Sequence, residues 1–96
     1  MHLKVLAYFD NPSKWLKDHG INLSVYAGGA GVGLEAGIPE LKDRREIYDP
    51  IVQDLFNRGL LNTDRSSLHA MMTDSGIVAQ RTTDLGRNFL RYISFA

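Results

Sequence analysis

The amino-acid sequence predicts one small α+β domain, with about four helices and an antiparallel β-hairpin in the C-terminal half followed by a last helix. Its 96 residues, 44% of them hydrophobic, suffice for a single modest core. Asn-Pro and Asp-Pro pairs open runs with apolar residues at helical spacing. Thr73-Asp74-Ser75-Gly76 is a turn sequence between two short apolar runs, which predicts the hairpin.

In chain order, Leu3, Leu6 and Phe9 recur at a spacing that predicts a short helix over Leu3 to Asp10. Asn11 is a good N-cap and Pro12 suits a first helical position, so a second helix is expected from Pro12 to His19, with Trp15 and Leu16 buried. Gly20 is placed to end it in a left-handed conformation. Between Ile21 and Ala36 the pattern is open. Gly28, Gly29, Gly31, Gly33 and Gly37 fit a loop or a closely packed helix equally. Pro39 marks a boundary. Asp49-Pro50 then opens the clearest helix, with Ile51, Val52, Leu55, Phe56 and Leu60 on its apolar face, although a start near Asp43 is compatible. Gly59 closes it. Leu68 to Met72 and Ile77 to Gln80 read as the hairpin strands, with Met71 and Met72 on opposite faces. Thr82 or Thr83 caps the last helix, whose stripe is Leu85, Phe89, Leu90 and Ile93. Gly86 lets that helix start close to the strand backbone.

Composition narrows the function. Eleven Lys and Arg balance eleven Asp and Glu, six of each in residues 1–48 and five of each in 49–96. A protein that grips phosphate backbones usually has a basic excess, so the balance disfavours nucleic acid. Zero cysteine excludes a disulfide scaffold and a cysteine metal site. No targeting segment or membrane-length apolar run is visible, and the expectation is a cytoplasmic protein without a membrane partner. The chain is read as one domain, compatible with a piece of something longer.

The phrase Asn57-Arg58-Gly59-Leu60-Leu61, the hairpin, and Thr83-Asp84-Leu85-Gly86-Arg87-Asn88-Phe89-Leu90 follow one another. In this order they resemble the winged-helix superfamily, over about residues 47 to 93. The resemblance implies a helix-turn-helix in which the helix from about Asp49 enters the DNA major groove and the hairpin forms a wing. Gln53, Asn57 and Arg58 would then read bases or anions, while Asp49 and Asp54 oppose phosphate. Independently of that, Arg81, Arg87 and Arg91 are candidates for an anion-facing patch, since residues 65–96 hold four Arg against two acids. Tyr92 and Phe95, near the end of the last helix, are candidates for a self-contact.

Chemical motifs are weak. Gly31-Val32-Gly33-Leu34-Glu35-Ala36 fits a relaxed dinucleotide pattern, but no parallel sheet or Walker lysine accompanies it. His2, His19 and His69 lack partners at metal-ligand spacing, so no metal is expected. Ser66, Ser67 and His69 are close in sequence, which does not make a triad. No cofactor and no catalytic residues are assigned. Three readings remain, in order. The first is a non-catalytic interaction or regulatory module acting through a protein partner or a second copy of itself. The second is a DNA-binding regulator, and the third a nucleotide binder using Gly28 to Gly37.

Overall fold

The computed structural model describes residues 1–21, 29–70 and 79–94. Six helices lie among them: α1 (His2–Asp10), α2 (Pro12–Asp18), α3 (Ala30–Gly37), α4 (Arg45–Asn57), α5 (Arg65–Leu68) and α6 (Asp84–Ser94), with a 3-10 turn at Pro39–Leu41. No strand occurs among the described residues, so the α+β expectation is corrected to an all-α arrangement.

The first two helices form for the reasons their sequence suggests. Val5, Leu6 and Phe9 of α1 are buried. The Asn11 side chain accepts a hydrogen bond from the Lys14 backbone at 3.2 Å, capping α2 behind Pro12. Gly20 ends that helix at φ +70°. Leu16 is buried, and Trp15 is partly buried with its indole N–H donated to the Gly37 carbonyl at 2.8 Å.

The glycine-rich segment is helical from Ala30 onward. Ala30, Gly31, Gly33, Leu34 and Gly37 of α3 are buried, and the glycines set how closely neighbours approach. A Cβ at Gly29 would lie 2.5 Å from the Leu68 carbonyl oxygen, and one at Gly37 2.7 Å from the Tyr8 ring. The dinucleotide pattern Gly31 to Ala36 therefore lies inside a packed helix rather than in a phosphate-binding turn.

The clearest predicted helix is longer than Asp49-Pro50 suggests. α4 begins at Arg45, within the earlier start that the sequence allows, and Pro50 lies inside it on the exposed side. Asp49 is thus not the N-cap. Its carboxylate is 2.7 Å from His69 Nε2.

The hairpin expectation fails where the described residues test it. Leu68 ends a helical turn instead of starting a strand, because the Asp64 carboxylate accepts from the Ser67 backbone N–H at 2.8 Å and caps α5. Ala79 and Gln80 are not in a strand. Met71, Met72, the turn Thr73 to Gly76, Ile77 and Val78 lie outside the described residues. Among the described residues, β-pairing is an isolated antiparallel bridge between Leu61 and Thr82. The Asn62 backbone N–H donates to the Arg81 carbonyl at 2.9 Å, and that of Thr83 to the Leu60 carbonyl at 3.1 Å.

The core is formed chiefly by α1, α3 and α4, with Leu6, Tyr8, Leu34, Ile38, Leu41, Tyr48 and Val52 fully buried. α1 packs on both α4 and α6, and α2 packs on α3. Among the described residues no helix is long and apolar enough to cross a membrane.

Candidate functional site

Three helices leave an apolar groove between them. Leu3 and Leu6 of α1, Leu55 of α4, Leu60, and Leu85 and Phe89 of α6 line a cavity of about 530 Å³. Its shape follows from how α6 is seated. Thr83 caps the helix, its hydroxyl accepting from the Gly86 backbone at 3.0 Å and donating to the Gly59 carbonyl at 2.6 Å. Gly86 is buried against the Leu60 carbonyl, where a Cβ would collide with the oxygen. Leu90 packs against the core. The stripe expected from the sequence is therefore split. Leu85 stays 57% exposed and Phe89 39%, alongside Leu3, itself 49% exposed. Fully burying one such side chain is worth roughly 1.5–3 kcal/mol, so the groove leaves substantial apolar area for a partner to cover.

Charges border the groove on one side. Asp54 of α4 sits 3.2 Å from His2 Nε2 and 3.1 Å from Arg58 Nε. Arg58 is therefore at a groove edge, paired with a residue of α4.

Of the other polar residues picked from sequence, Gln53, Asn57, Arg81 and Arg87 have partners of their own. Gln53 donates to Asn57 at 2.9 Å and accepts from the Arg65 backbone at 3.3 Å, tying α4 to the start of α5. Arg81 is half-buried. Its Nη1 donates to Thr63 at 3.0 Å and its backbone N–H to the Phe9 carbonyl at 3.0 Å. Burial lowers the guanidinium pKa, and burial likewise raises that of the Tyr8 hydroxyl. Arg87 bonds to Gln80 at 3.2 Å and pairs with Asp84. Arg91 and Tyr92 are exposed on α6, and Phe95 lies outside the described residues.

A second polar cluster is not visible in the sequence. Glu35 of α3 accepts from the Asp43 backbone at 2.5 Å and from the Tyr48 hydroxyl at 3.1 Å. Burial, then the Glu35 charge, raises the Tyr48 pKa. Beside Tyr48, Asp49 holds His69, and Arg45 approaches Asp49 at 3.7 Å. The signal in the chain is a Tyr beside an Asp, and only the fold reveals which segments the two side chains meet. A cleft of about 350 Å³ opens beside Glu35, lined also by Val32, Ala36, Pro39, Lys42 and Asp43. The His69 ring turns its Nε2 to Asp49, and the Ser67 backbone N–H donates to the Asp64 carboxylate. The cluster acts as a clamp joining α3, α4 and the end of α5. Among the described residues no three His, Cys, Asp or Glu side chains are grouped to hold a metal ion.

The chain matches no protein-family model, and no curated protein or solved structure matches it.

Proposed function

We propose that this chain is a non-catalytic protein-interaction module, and that the groove between α1, α4 and α6 is its docking surface. The observation carrying the reading is the row of partly exposed Leu3, Leu85 and Phe89 around a concave apolar floor. Such a groove takes the apolar face of an amphipathic helix, with anchors spaced by about one turn. Asp54 and Arg58 at the edge supply one charge of each sign for orienting the incoming segment.

The test is selection of displayed random peptides on the wild-type chain, counter-selected on a Leu85→Glu, Phe89→Glu variant. Both side chains are exposed enough for the variant to fold, which circular dichroism checks. Recovery of peptides with apolar residues at helical spacing that bind only the wild type is the expected result. Peptides that bind both proteins equally, or none at all, would sink the reading.

A further inference from the structure

We draw no further inference here: the strongest candidate, the exposed apolar row of Leu85, Phe89 and Tyr92 on α6, adjoins the groove already described, and nothing in the structure shows what covers it.

Discussion

Gly86 shows how much one missing side chain decides. Its place in α6 puts a Cβ against the Leu60 carbonyl oxygen, a backbone atom held by Thr83 and unable to yield cheaply. Gly86→Ala is expected to cost about 1–3 kcal/mol through overpacking, despite the better helix propensity of alanine, as measured by urea unfolding. An unchanged or improved midpoint would mean that α6 is not seated on Leu60. The sequence already points to a close helix-to-backbone approach at this glycine. It does not reveal that Gly29 meets Leu68 or that Gly37 meets Tyr8, because those partners come from distant segments.

At the scale of elements, the capped helices are the legible ones. Asn11-Pro12 and Thr83 act within three or four residues of themselves, and both cap as expected. α5 is also capped locally, yet its four residues are too few to show a periodicity, and the apolar run that begins at its last residue reads as a strand. Its dependence on Asp64 has a measurable sign. Hydrogen bonds from Ser67 hold the Asp64 carboxyl below its ordinary value of 3.8. The capping contribution is therefore whole above that value and is lost as pH falls through the lowered folded-state pKa. Asp64→Asn keeps an acceptor oxygen and removes this titration. Protection of the Ser67 and Leu68 amides against hydrogen exchange, corrected for the intrinsic rate, should fall in acid in the wild type and stay level in the variant. Identical acid profiles would exclude the cap as the cause. The start of α4 is hidden for a related reason. An Asp-Pro pair is a strong local signal, but burial of Tyr48 extends the helix one turn upstream and leaves Asp49 free to bind His69.

For the whole molecule, the described buried side chains form one cluster, and it includes Ala30 and Leu34 from the segment that the sequence leaves open between loop and helix. Leu34 is fully buried in the same core as Tyr48 and Val52. Leu34→Ala should cost about 2–5 kcal/mol, a large share of the roughly 5–15 kcal/mol typical of a domain. A loss of cooperative thermal unfolding, or a midpoint lowered accordingly, is the expected measurement. A change near zero would place Leu34 outside the core. Local chemistry alone established the ends of α2, the cap of α6, the balanced charge and the lack of any cysteine-based site. Those properties need only neighbours along the chain, or none. Burial settled the remainder: that the glycines from Gly31 on pack in a helix, that Leu68 closes a helical turn, that Arg81 is half-buried against Thr63, and that Leu85 and Phe89 stay in water while Leu90 packs on the core. Each depends on which distant segment occupies the facing space, and that is a property of the packed chain.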